Sequence, residues 1–335
     1  MDRNTLLAFF LIALVLLFTP KYLETFGPQQ PTNDTSEDPT SGQNIDTTTF
    51  FDVNFKKAEK QFDGVHVKAK QLSKYSEEKT TVETPLYTAT FSSIAGGTIN
   101  EFLHKGFLSP DSQLVNTISR SKNKNLIIEI KDLNGDPLSL NGPWELTKKP
   151  GKHNLRSPET LEYRHEVFPN QFIKKTFVFY PDSYSIGIDI DISEIKNLIY
   201  RDIKFSWNGG LAPTEKDTVD DMAYFKASIY QGKELEDLKV KTGKKETKKL
   251  IGATDWGAIR TKYFISALIP SDPKMVRFVE VSGVALGQEE YKLSFVYDCF
   301  QGSSFTLYHG PLEYERIKSL GVGLDEIMDF GWSFI

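Results

Sequence analysis

The chain has 335 residues, 40 basic and 45 acidic side chains and a net charge of −5, a length that suits one large all-β domain or about two smaller ones. With 39% hydrophobic and 25% charged residues it is neither wholly disordered nor polytopic, and its slight acidic excess gives no electrostatic footprint for nucleic acid. Cys299 is the single cysteine, which excludes an intrachain disulfide and a cysteine-based zinc site.

Leu6 to Phe18 is an unbroken apolar run that spans roughly 20 Å as a helix, or roughly 27 Å if extended from Thr5 to Tyr22. Three readings compete. A cleaved signal peptide needs a basic start and a small-residue cleavage site, and Asp2-Arg3 and Thr19-Pro20-Lys21-Tyr22 supply neither. A buried core helix would carry polar positions at helical spacing, and the run has none. An uncleaved membrane anchor over 1–27 is the reading that remains. Arg3 and Lys21 nearly balance, so charge leaves its orientation open. Residues 28–49 hold three prolines, six threonines and Ile45 as the one aliphatic; such a segment buries too little to offset chain entropy and is expected to be a disordered tether.

From about Thr80 the pattern has period two, broken by turn residues. Tyr87, Ala89 and Phe91 alternate with Leu86, Thr88 and Thr90 before Gly96-Gly97, and Thr98 to Leu103 forms the next run. Leu126 to Leu140 reads as two strands around Asn134-Gly135, a strong hairpin signal. Phe172–Tyr180 and Tyr184–Ile192 flank Pro181-Asp182-Ser183, with Ile186, Ile188, Ile190 and Ile192 on one face of the second run. Ile203, Phe205 and Trp207 alternate next. Further runs are Tyr263–Ile269, Arg277–Val281, Lys292–Tyr297 and Ser304–Tyr308. Many strands at short spacing without long amphipathic helices predict an all-β sandwich over 50–310. Helix is expected only near the ends, starting at Phe55–Gln61 and at Pro311 in a first turn.

Motifs for chemistry fail on inspection. His66, His104, His153, His165 and His309 show no paired metal spacing and read as surface or capping residues. Asp132, Asn134 and Asp136 open like a calcium loop, but Pro137 and Pro143 stand where a glycine and a glutamate are needed. Gly321 to Glu326 begins like a dinucleotide loop but lacks its third glycine and a leading strand. Asp189 and Asp191 read as the wet face of a half-buried strand. Lys233 to Lys249, with seven lysines and four acids, reads as a solvated loop, with a contact to anionic headgroups or a partner protein as the alternative. The sequence therefore predicts no catalytic, cofactor-binding or metal-binding residue, no enzyme and no cofactor.

Met1-Asp2-Arg3-Asn4 entering the apolar run, Val82 through Ile99, Lys175 through Ile186, Phe205-x-Trp207-x-Gly209-Gly210-Leu211, Tyr308-His309-Gly310-Pro311 and Leu324 to Trp332, in this order, resemble the amino-terminal half of the YidC membrane insertases of bacteria with two membranes. The most specific is Asp255 to Pro270, DWGAIRTKYFISALIP. The resemblance implies a β-supersandwich similar to galactose-mutarotase folds, in the periplasm, tethered to the inner membrane by an anchor whose amino terminus is cytoplasmic. It also implies insertion and folding of membrane proteins, alone or beside the Sec translocon, through carboxy-terminal membrane helices around a groove that needs no cofactor. The implied partners are nascent membrane proteins, the Sec translocon with its accessory subunits and the lipid bilayer. Residues 311–335 then read as an amphipathic lead-in to a second membrane helix, and the chain is expected to be a truncated copy of a longer protein, the alternative being a stand-alone tethered domain. Two other functions stay open: a tethered binding module for unfolded chains or peptides, and a sugar epimerase on the same fold, which would need a paired acid and base.

Overall fold

The computed structural model describes residues 76–119, 125–217, 220–221, 223–285, 289–300 and 302–328. The expected anchor, tether and helix start at Phe55–Gln61 lie outside the described residues, as does His66. Nineteen strands follow in chain order: β1 (Lys79–Glu83), β2 (Tyr87–Ser92), β3 (Thr98–Leu108), β4 (Leu114–Asn116), β5 (Ile127–Glu129) and β6 (Glu145–Leu146). Next come β7 (Lys152–Asn154), β8 (Glu159–Phe168), β9 (Gln171–Phe179), β10 (Ser185–Asp191), β11 (Asp202–Trp207), β12 (Lys226–Gln231) and β13 (Glu234–Leu238). The last are β14 (Lys245–Ile251), β15 (Trp256–Arg260), β16 (Phe264–Pro270), β17 (Val276–Ala285), β18 (Glu289–Asp298) and β19 (Ser304–Pro311). A short helix α1 (Tyr314–Lys318) and a 3-10 turn at Leu324–Ile327 complete the described chain.

The strands form three sheets, ordered β4-β3-β2-β1-β7, β13-β12-β15-β16-β19-β10-β9-β8-β6 and β14-β17-β18-β11-β5. The nine-stranded sheet is the centre. Phe91 of the first sheet meets Phe177 and Phe179 of β9, while Phe205, Phe295 and Tyr297 of the third surround Phe305 of β19. All-β sandwich packing is thus what the alternating runs produce: strand side chains project to opposite faces, and each apolar face finds a partner sheet. The isoleucines of β10 and the Ile203, Phe205, Trp207 series of β11 all point inward and are buried.

Three local expectations need correction. Lys233–Leu250 is not a loop: it supplies β13 and β14, the edge strands of two different sheets. Neither face of β14 is buried, so hydrophobic alternation vanishes, and its lysines suit an edge that must not pair with other chains. The Asn134-Gly135 turn exists, with Asp132 Oδ1 accepting from the amides of Asn134 and Asp136. Its arms, however, meet only at a Lys131–Pro137 bridge, and β5 pairs with β11 instead. Pro311 ends β19 rather than opening a helix; α1 starts three residues later behind Glu313.

Candidate functional site

β15 and β16 are apolar along almost their whole length because both faces of the sheet are covered there. On one face Gly257 lets β18 approach: a Cβ at this position would lie 2.6 Å from Leu293 Cδ1. The other face carries Trp256, Ala258 and Arg260, and against it lies the segment that follows β19. Ile317, Leu324 and Ile327 of that segment are fully buried. Gly323, at φ +70°, turns the chain into the 3-10 turn with its Cα face against the Tyr230 ring, and Tyr230 stacks on Trp256 at 5.3 Å.

Two directional bonds complete the clamp. Trp256 Nε1 donates to the Val322 carbonyl at 3.1 Å and Arg260 Nη1 to that of Ile327 at 2.9 Å. Arg260 Nε also donates to the Thr261 carbonyl, which fixes the guanidinium plane. The segment therefore runs along β15 from Trp256 toward Arg260. In the sequence, Tyr263–Ile269 reads as a strand and 255–270 as a whole stands out by family likeness; the structure shows Trp256 and Arg260 of this stretch holding the segment that follows β19.

His104, Thr117 and His309 form a second cluster. Thr117 Oγ1 lies 2.9 Å from His104 Nε2 and 2.7 Å from His309 Nε2. A hydroxyl has one proton, so it donates to one ring and accepts from the other, and the two imidazoles hold opposite tautomers. Both are fully buried among Phe102, Trp207 and Phe264, and each Nδ1 lacks a partner. Desolvation pulls His104 down to about 3 and His309 well below its usual range. The expected surface role fails for both. It fails also for His165, buried against Trp144; His153 instead pairs with Glu159.

Lys175 is a group that sequence reading missed. The register of β9 puts Ile173, Lys175, Phe177 and Phe179 on the inward face, so the lysine is buried with them. Its Nζ donates to the carbonyls of Ala95 and Leu126, at 2.8 and 2.6 Å. Both acceptors sit on residues with left-handed backbone, φ +53° each, and Trp144 and Phe177 lie beside the amine. Burial pulls the amine down to about 7.

The remaining candidates are local. Asp189 accepts from Ser304 Oγ and Asp191 from the Ser193 amide. Asp132 holds its own turn. Among the described residues no three His, Cys, Asp or Glu side chains gather as a metal site, and no helix is long and apolar enough to cross a membrane.

Fold and clamp define a β-sandwich domain that grips the segment following its last strand. Residues 79–335 match the family model of the YidC periplasmic domain, and the chain belongs to that family. Among curated relatives, the membrane protein insertase YidC of Prosthecochloris aestuarii is 27% identical over all of this chain and 58% of its own length. That of Chlorobaculum tepidum is 30% identical over 79% of this chain and 47% of its own. The chain thus spans less than two thirds of these relatives. A putative mutarotase, YeaD, from Salmonella typhimurium overlaps 77% of this chain and 99% of its own at 10% identity and a TM-score of 0.43. The sandwich assignment stands on the sheets themselves.

Proposed function

We propose that this chain is the anchor and periplasmic part of a membrane protein insertase, which inserts, folds and assembles integral proteins of the inner membrane alone or with the Sec translocon. In this reading the amino terminus is cytoplasmic, residues 1–27 fix the sandwich to the membrane, 28–49 tether it, and 311–335 connect it to the following membrane segment. The observation that carries the reading is the clamp. Two buried side chains on an interior strand grip the segment after β19, which supports a sandwich coupled to the chain that follows. Its clients are nascent membrane proteins and its other partner is the bilayer.

The domain acts without chemistry of its own. Sugar epimerisation needs an acid and a base facing a substrate, whereas His104 and His309 face each other through Thr117 in the core. The test is deletion of Leu312–Phe334 from the intact longer protein. Insertion of a model client should be abolished, with far-ultraviolet circular dichroism showing whether the sandwich survives the loss of Ile317, Leu324 and Ile327 from its core, and normal insertion would refute the coupling role.

A further inference from the structure

The exposed large hydrophobics fall at the two ends of the sandwich, and one end is distinguished by the segment after β19, which heads toward it. Register fixes that end. Lys226 pairs with Arg260, Phe264 with Pro311 and Ser185 with Tyr308, so the start of β12, the β15–β16 turn, the end of β19 and the β9–β10 turn lie side by side. The tip of β3 joins them, since the Phe107 ring meets Phe264 edge-on at 5.4 Å and Leu108 pairs with Leu114 of β4. Leu108, Leu114, Tyr180, Tyr224 and Tyr263 are exposed here, Leu108 by 65%.

Between two of the tyrosines lies one cation. Lys262 Nζ sits 5.6 Å from the Tyr224 ring and 5.1 Å from that of Tyr263, with its charge also paired to Asp220. Tyrosines with an apolar body and polar tip, a lysine held over them and leucines beyond are the chemistry of the zone between headgroups and acyl chains. The clamped segment heads the same way, passing Trp256 at Val322 and Arg260 at Ile327, beside the turn that bears Lys262 and Tyr263. The sequence that follows holds Phe330, Trp332 and Phe334. Leu133, Ile251 and Phe300 at the opposite end are also exposed; β1 enters the fold from that side, but the segment clamped by Trp256 and Arg260 heads away from it.

We propose that this end of the sandwich, formed by the β3–β4 tip, the β9–β10 and β15–β16 turns and Tyr224, rests in the headgroup layer of the bilayer. It deepens the membrane reading above and rests on it. Leu108 and Leu114 enter deepest, the tyrosines lie at headgroup level, and the β14 edge and the β18–β19 turn stay in water.

The test uses the whole chain in phosphatidylethanolamine–phosphatidylglycerol vesicles. Single variants Leu108→Cys, Tyr263→Cys, Leu133→Cys and Ile251→Cys carry an environment-sensitive fluorophore. Cys299, buried with its thiol pushed up to about 11 by burial, stays unlabelled, which the unsubstituted chain checks. Quenching by lipids nitroxide-labelled near the headgroup should be at least roughly twofold stronger at 108 and 263 than at 133 and 251. Equal quenching at the two ends, or stronger quenching at 133 and 251, overturns the face assignment alone. A chain that does not float with the vesicles overturns the membrane reading, and this proposal with it.

Discussion

Arg260 Nη1 donates to the carbonyl of Ile327 across 67 residues of sequence, with the guanidinium buried beneath the segment it holds. Charge-assisted bonds of this kind contribute about 1.5–3 kcal/mol. Arg260→Ala should therefore raise amide exchange over residues 320–328 by roughly 10- to 100-fold while leaving β8, β9 and β10 protected. Under the proposed coupling role, the same variant in the longer protein should slow client insertion. Uniform loss of protection across all sheets would mean that Arg260 supports the core rather than the clamp.

Gly96 turns the chain at φ +69°, and a Cβ there would approach Trp144 Cε3 to 2.6 Å. The neighbouring Gly97 is closed in by Phe177. Gly96→Ala meets both backbone strain and a packed indole, and should destabilise by about 2–4 kcal/mol. Gly135→Ala provides the contrast, since its φ of +89° is strained but nothing lies within 4 Å of its Cβ; it should cost about 1 kcal/mol. Urea midpoints of the two variants decide, and equal losses would remove the indole from the account.

Lys175 gives the pH response of the core a sign. Its amine is pulled down to about 7 when folded, against 10.5 as its ordinary value. Between these values the unfolded chain holds a proton that the folded chain releases, so stability rises with pH through this window. The slope attributable to this group is at most about 1.4 kcal/mol per pH unit. Lys175→Met should abolish that part of the rise. Parallel stability curves for the two proteins between pH 7 and pH 10 would refute it.

The histidines act in the acid range with the same logic. Folded, His104 titrates at about 3 rather than 6.5, and His309 is pulled lower than its usual value as well. Below 6.5 the unfolded chain takes up protons that these rings refuse, so their contribution to stability falls as pH falls toward 3. Ring resonances of His104 and His309 should stay unshifted from pH 7 to pH 4.5. A midpoint near 6.5 for either would place it in contact with water.

The strands were most legible where apolar and polar residues alternate, as in Ile186 to Ile192 and Ile203 to Trp207. Legibility was lost in opposite ways at two places. On β13 and β14 too little is buried for a pattern to form, and on β15 both faces are buried, so polar positions stop marking a surface; β16, equally buried, still reads as the run Tyr263–Ile269 from its almost unbroken apolar stretch. Lys175 was hidden because residue type spoke louder than register, although Ile173, Phe177 and Phe179 at spacing two already point it inward. The clamp lay beyond sequence reading. Val322 and Ile327 meet Trp256 and Arg260 at separations of 66 and 67 residues, and no local pattern encodes that contact.

β15 is an interior strand, paired along its length with β12 on one side and β16 on the other. Tension on the chain beyond Met328 therefore reaches the sandwich first through an indole and a guanidinium seated mid-sheet, not through the tip of its last strand. From there the load divides between two neighbouring strands as shear along their hydrogen-bond ladders, where many bonds resist together. Peeling, which breaks such ladders one bond at a time, would begin only after the clamp had opened. The domain is in this sense moored broadside, and a pull on the segment after β19 is met by the whole width of its central sheet.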